Sequence, residues 1–149
     1  RGVGDSFEPR LTPKPATGIA IRRSIQHCLA DAGLAADQIG HVSAHGVSTI
    51  HDDPLEAQAI RDCLSDVPVT AFKSYFGNLG AGCGAVETVA SVLALQHNEV
   101  PRTLNYETAD PECPVNVVHG ESLVGAKPTA MILSQAGTGQ AAAIILSRD

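Results

Sequence analysis

The sequence predicts an α/β fold, a mixed and mostly parallel sheet flanked by helices, on three observations. Short apolar runs alternate with segments of helical periodicity, the pattern of strands and helices packed in layers. The chain closes on two apolar runs joined by a polar, glycine-bearing stretch, which reads as a hairpin. The third observation is compositional: 44% of the 149 residues are hydrophobic, yet only 3% are aromatic and Trp is absent. A core of Val, Ile, Leu, Ala and Gly lets helices lie close against strands.

Residues 1–16 mix prolines and glycines with charges and predict irregular chain. Ile21, Ile25, Cys28, Leu29 and Ala32 then recur at helical spacing, with Gly33 as the stop. Residues 39–44 form a short strand that ends in His45-Gly46. Asp53-Pro54-Leu55-Glu56 is a helix start, with Asp as N-cap, Pro at the first helical position and Glu at the third. That helix runs to Leu64, and residues 67–72 make the next strand, delivering Lys73 at its end. Gly77, Gly80, Gly82 and Gly84 form a loop before a helix whose apolar face is Val86, Val89, Ala90 and Leu93, with Asn98 near its end. Residues 101–128 show little regular pattern, and 130–133 with 141–146 make the terminal hairpin. The whole, 1–149, reads as one domain.

A net charge of -6 gives no basic footprint, which excludes nucleic-acid binding. No apolar run reaches the roughly 18 residues of a membrane span, and no signal peptide opens the chain. Cys28, Cys63, Cys83 and Cys113 have neither CxxC nor Cys/His metal spacing and read as ordinary thiols of a reducing, cytoplasmic compartment. Neither metal nor cofactor is expected. Met131 is the only methionine, so Arg1 is read as something other than a translation start, in a processed chain or a piece of a longer one.

The candidate chemistry sits where strands should end: His45 after the first, Lys73 after the second, Asn78 on the glycine loop. Ligands of open α/β sheets bind at those carboxyl ends. The residues alone leave alternatives open. A glycine loop before a helix serves close approach to a substrate or simply tight packing. Residues 77–84 lack the Gly-Lys-Ser/Thr ending of a phosphate-binding loop. His45 at a strand end is structural or catalytic, while His27, His41, His51, His97 and His119 read as structural or solvated. Glu87, placed in the first turn of its helix, either complements the helix dipole or pairs with Lys73.

Several ordered motifs resemble the C-terminal half of the β-ketoacyl-ACP synthases of fatty-acid and polyketide assembly. Ala44-His45-Gly46-Val47-Ser48-Thr49-Ile50-His51-Asp52-Asp53 resembles their Ala-His-Gly-Thr-x-Thr-x-x-x-Asp stretch. Phe72-Lys73-Ser74 resembles Thr-Lys-Ser, and Gly77-Asn78-Leu79-Gly80-Ala81-Gly82-Cys83-Gly84-Ala85-Val86-Glu87 resembles Gly-His-Leu-x-Gly-Ala-x-Gly-Ala-Val-Glu. Leu93-Ala94-Leu95 and Val100-Pro101-Arg102-Thr103-Leu104-Asn105 also follow the family pattern.

The resemblance implies a thiolase-like half-fold and an acyltransferase parent. In such enzymes a cysteine of the N-terminal half takes an acyl group from an acyl carrier protein. Malonyl carrier protein loses CO2, and the enolate attacks that thioester in a decarboxylative Claisen condensation. By resemblance His45 and Asn78 are the donors to the enolate oxygen, with Asn78 where the second histidine usually stands. Lys73 and Glu87 are the family's Lys–Glu pair, and Thr12 and Thr49 contact the pantetheine arm. The partners implied are an acyl carrier protein bearing a phosphopantetheine thioester, the N-terminal half of the synthase, and a second copy or paired subunit. Cys83 lies on the wrong loop to be the nucleophile, and this chain by itself is expected to be inactive in condensation. Three departures stand out: Asn78 itself, Val47 in place of the first motif threonine, and no phenylalanine in 135–139 where the family has its Gly-Phe-Gly-Gly gatekeeper. Those departures keep open a non-condensing, chain-length-factor-like subunit that shapes a partner's pocket. A thiolase or an unrelated α/β binding module is the third reading, although a thiolase's Gly-His-Pro motif is missing.

Overall fold

Helix α1 (Ile19–Ala32) forms where the periodicity places it, burying Ile21, Ile25 and Cys28. Gly33, at φ 63, turns left-handed; its N–H bonds to the Ala30 carbonyl and that of Leu34 to the Leu29 carbonyl, a Schellman close. The computed structural model describes residues 1–9 and 16–148. Thr12 therefore lies outside the described residues.

The strands and the other α-helices are β1 (Gly2–Phe7), β2 (His41–Ser43), α2 (Asp52–Leu64), β3 (Pro68–Thr70), α3 (Lys73–Phe76), α4 (Cys83–His97), β4 (Glu99–Val100), β5 (Asn116–Val117), β6 (Leu123–Val124), β7 (Thr129–Gln135) and β8 (Gln140–Ser147). Six of the strands make one sheet in the order β1-β8-β7-β2-β3-β5. The β7–β2, β2–β3 and β3–β5 pairs are parallel, whereas β8 runs antiparallel to both neighbours. The expected mixed, mostly parallel sheet and its terminal hairpin are thus observed, the hairpin in register from Thr129↔Ser147 to Gln135↔Ala141. One sheet face, through Val42, Ala44, Met131, Leu133, Ala143 and Ile145, packs with α1 and α2 into the main core. The other, through Ala130 and Ile132, meets Leu95 of α4.

Two expectations need correction. The opening segment is partly a strand: Gly2–Phe7 pairs along β8, from Gly2↔Ile145 to Phe7↔Gln140. Its glycines look like turn signals, but they let the strand backbone press against α1. A Cβ at Gly4 would fall 2.2 Å from the Ser24 carbonyl oxygen and 2.4 Å from the Cys28 nitrogen. Lys73 does not end a strand; it opens α3, three residues after Thr70 closes β3. The apolar face expected on α4 is present, and within this chain it is uncovered. Val89 and Leu93 are 60% and 48% exposed, while Glu87 and Ser91 are fully buried.

The Gly4 contact is testable. Gly4→Ala must push α1 from β1, so it is expected to lower unfolding stability by about 1–3 kcal/mol, the usual cost of overpacking. Val3→Ala, on the solvent side of the same strand, should change it by no more than about 0.5 kcal/mol. Urea denaturation of the two variants checks the difference; equal midpoints would count against the close packing.

Candidate active site

After β2 the ladder continues for one residue, with the Ala44 N–H bonded to the Thr70 carbonyl, and the chain then leaves the sheet. Two carboxylates of α2 hold the loop at 45–49. Glu56 Oε1 accepts the His45 N–H at 2.7 Å and Oε2 accepts the Gly46 N–H at 2.9 Å. Asp53 accepts the N–H groups of Ser48 and Thr49, at 3.0 and 3.2 Å. Asp53 is therefore a clamp on the preceding loop, where the sequence suggests an N-cap. The N-cap position is His51, whose side chain makes no capping bond, and the Thr49 hydroxyl oxygen accepts the Asp52 N–H at 3.1 Å. Asp53 and Glu56, three residues apart, share one helix face, which is why both reach the same loop. The sequence reading missed Glu56; its signal was the carboxylate on that face.

Lys73 is 7% exposed and spends its ammonium on three acceptors: Glu87 Oε1, the His45 carbonyl, and His45 Nδ1 at 3.3 Å. The Lys73–Glu87 ion pair is buried, at 5% and 0% side-chain exposure. Glu87 lies one turn into α4 and not in its first turn, so its partner is Lys73 and not the helix N-terminus. Burial pushes the Glu87 carboxyl above its ordinary range, with Lys73 opposing.

His45 is half-buried, and its pKa is lowered to about 4, first by desolvation and then by the Lys73 charge, Asp52 opposing. The ring is neutral at neutral pH. An ammonium carries only donors, so the Nδ1 it meets is an acceptor and the ring proton resides on Nε2. Asn78 is oriented as definitely. Its Oδ1 faces two donors, the Gly80 N–H at 2.9 Å and the Cys83 thiol at 3.3 Å, which leaves the NH2 as the free end. His45, Val47, Thr49, Asn78, Cys83 and Ser134 line one cavity of about 810 Å³. Thr49 and Asn78 also border a second cavity, about 670 Å³, with Lys73 on its wall. Gln135, Ala136 and Gly137, where the gatekeeper would be, line the first cavity without an aromatic ring; the ring there is Phe7, from β1.

The charge states have a pH consequence. His45 and the fully buried His41 are both lowered from 6.5 to about 4, so between those values the folded protein holds fewer protons than the unfolded chain. Their contribution to stability is complete above pH 6.5 and is lost as the pH falls toward 4. Glu56, raised by burial to about 7, acts oppositely, its contribution falling as the pH rises from 4.5 toward 7. An NMR titration of the His45 ring is expected to show a neutral imidazole at pH 6 and a midpoint near 4. A midpoint at 6.5 would contradict the desolvated, lysine-facing site.

Comparison with known proteins decides the family. Residues 3–107 match the model of the beta-ketoacyl synthase, C-terminal domain. The chain belongs to that family. The 3-oxoacyl-[acyl-carrier-protein] synthase 2 of Coxiella burnetii is 34% identical over 149 residues, 97% of this chain and 36% of the relative. The solved ishigamide ketosynthase/chain length factor superposes with TM-score 0.92 at 31% identity, over 99% of this chain and 37% of that one. A type II PKS acyl-carrier protein in complex with its ketosynthase, bound to the hexaketide, gives TM-score 0.91 at 31% identity, over 99% and 38%. The thiolase-like half-fold expected from the motifs therefore stands. The domain spans little more than a third of the length of these relatives.

Proposed function

We propose that this domain is the C-terminal half of a 3-oxoacyl-ACP synthase, an acyltransferase of fatty-acid or polyketide assembly, and that it supplies the donors for decarboxylation. The observation that carries the reading is the fixed ring of His45: Nδ1 faces Lys73, so Nε2–H is the donor, in a cavity shared with the Asn78 amide. In the reaction, the bond from the malonyl α-carbon to its carboxylate breaks and CO2 leaves. The electron pair moves onto the thioester oxygen, where His45 and Asn78 meet the developing charge with hydrogen bonds. The enolate carbon then attacks the acyl thioester held by a cysteine of the N-terminal half. A carbon–carbon bond forms, and the thiolate leaves. Both donors are neutral, so neither has to lose a proton to act.

The substrate on this reading is a malonyl group on the phosphopantetheine arm of an acyl carrier protein, with Thr49 at the cavity rim beside the arm. The N-terminal half, and a second copy or paired subunit, complete the enzyme. The chain's extent, about a third of its relatives, supports that partition. So does the uncovered face of α4: its Val86, Val89 and Leu93, with Tyr75 and Phe76 of α3, line an apolar groove of about 480 Å³. A chain-length-factor-like role is the second reading, favoured by Val47 and the ringless 135–139 segment. A parent without a nucleophilic cysteine would decide for it.

The domain alone is expected to bind a hydrophobic dye and self-associate, since an apolar patch of this kind marks a covered surface. Adding the N-terminal half should abolish dye binding and restore carbon–carbon bond formation. A dye-free monomer in sedimentation, or condensation by the domain alone, would count against the partition.

A further inference from the structure

The amide of Asn78 works as a donor only if its oxygen is turned away from the substrate, and the loop itself supplies the means. Cys83, 2% exposed, is the first residue of α4. Its sulfur accepts the Leu79 N–H at 3.0 Å, and its thiol donates to Asn78 Oδ1 at 3.3 Å. The Gly80 N–H reaches the same oxygen at 2.9 Å. We propose that Cys83 is a positioning residue for the reaction, whose thiol holds Asn78 with its NH2 toward the cavity. This inference rests on the donor reading above and adds the residue that orients the donor.

One hydrogen bond fixes where an oxygen sits but leaves the amide plane free to swing; two converging bonds fix the plane. The Gly80 N–H is the first and the thiol is the second. Cysteine suits the place because a single small side chain must both accept from the loop and donate to it, within a closed site at the helix start. The bond to Asn78 Oδ1 engages the thiol proton, so Cys83 acts through Asn78 and not as a nucleophile.

The test uses the full-length synthase, malonyl carrier protein and CO2 release. Cys83→Ala is expected to lower kcat about tenfold to a hundredfold, the scale of a misplaced catalytic group, with KM unchanged. Cys83→Ser should recover most of the loss, because a hydroxyl also accepts and donates. In an Asn78→Ala background, Cys83→Ala should cost nothing further, as coupled residues do in a double-mutant cycle. If Cys83→Ala is too unstable to assay, Cys83→Val fills the site without either bond and gives the same comparison. Full activity of Cys83→Ala beside a crippled Asn78→Ala, or losses that multiply in the double variant, would overturn this inference alone. An Asn78→Ala enzyme working at the unsubstituted rate would overturn the donor reading with it.

Discussion

Glu87→Ala is expected to destabilise the fold by about 3–5 kcal/mol, the cost of leaving one member of a buried ion pair without its partner. Both side chains of the pair are almost fully out of water. The Lys73 ammonium would keep the His45 carbonyl and ring nitrogen as acceptors but lose Glu87, its ion-pair partner. Lys73→Ala should cost a similar amount, since it strands the Glu87 carboxylate at 0% exposure. The paired change Lys73→Met with Glu87→Leu separates fold from function. Apolar residues of similar size often replace a buried pair at little cost, so much of the stability should return. The activity should not, because nothing then faces His45 Nδ1. Urea unfolding of the single and paired variants is the check. A Glu87→Ala protein within about 0.5 kcal/mol of the unsubstituted one would show that water reaches the pair in solution.

His45→Ala carries the largest expected effect on the chemistry. Removing one donor to a developing oxyanion typically costs a factor of about 10²–10³ in rate, and decarboxylation of malonyl carrier protein by the full-length synthase should fall by that much. Asn78→Ala should fall comparably, through the loss of the second donor. Asn78→His is expected to keep part of the activity, because an imidazole N–H can stand where the amide N–H stood. These losses should appear without a fall in stability of the size expected for Glu87→Ala. His45→Ala takes one neutral ring acceptor from Lys73 but leaves it the Glu87 carboxylate and the carbonyl of residue 45, and Asn78 makes no contact with the buried pair. Equal rates in the His45→Ala and unsubstituted enzymes would remove the enolate role.

The elements that the sequence made legible are those whose signals are local. Gly33 closes α1 through its own backbone conformation, and the strands of the hairpin pair across a short turn, so nearby residues define both. Strand β1 was hidden because Gly2 and Gly4 weaken strand propensity in isolation. Their purpose, contact with α1, lies some twenty residues away in the chain. Helix α4 shows a different limit. Val86, Val89 and Leu93 mark an apolar face correctly, but periodicity cannot say what covers it, and within this chain the covered face is the one bearing Glu87 and Ser91. At the site, the sequence showed His45, Lys73 and Asn78 as polar residues near the junctions of successive elements, and the structure sets His45 against Lys73 and in one cavity with Asn78. The role of Glu56 was not legible, because its partners are backbone N–H groups, which carry no signature in a sequence. The orientation of Asn78 was equally hidden, since it depends on a thiol five residues on whose ordinary reading is core packing.

Joint stabilisation of the enolate by His45 and Asn78 is tested most directly by CO2 release from malonyl carrier protein, followed alongside condensation product in the full-length protein. Replacing the N-terminal nucleophilic cysteine should abolish product while CO2 release persists, and His45→Ala or Asn78→Ala should then suppress the CO2 as well. Release of CO2 by both variants at the unsubstituted rate would contradict the enolate role, and that of a non-catalytic partner subunit would take its place.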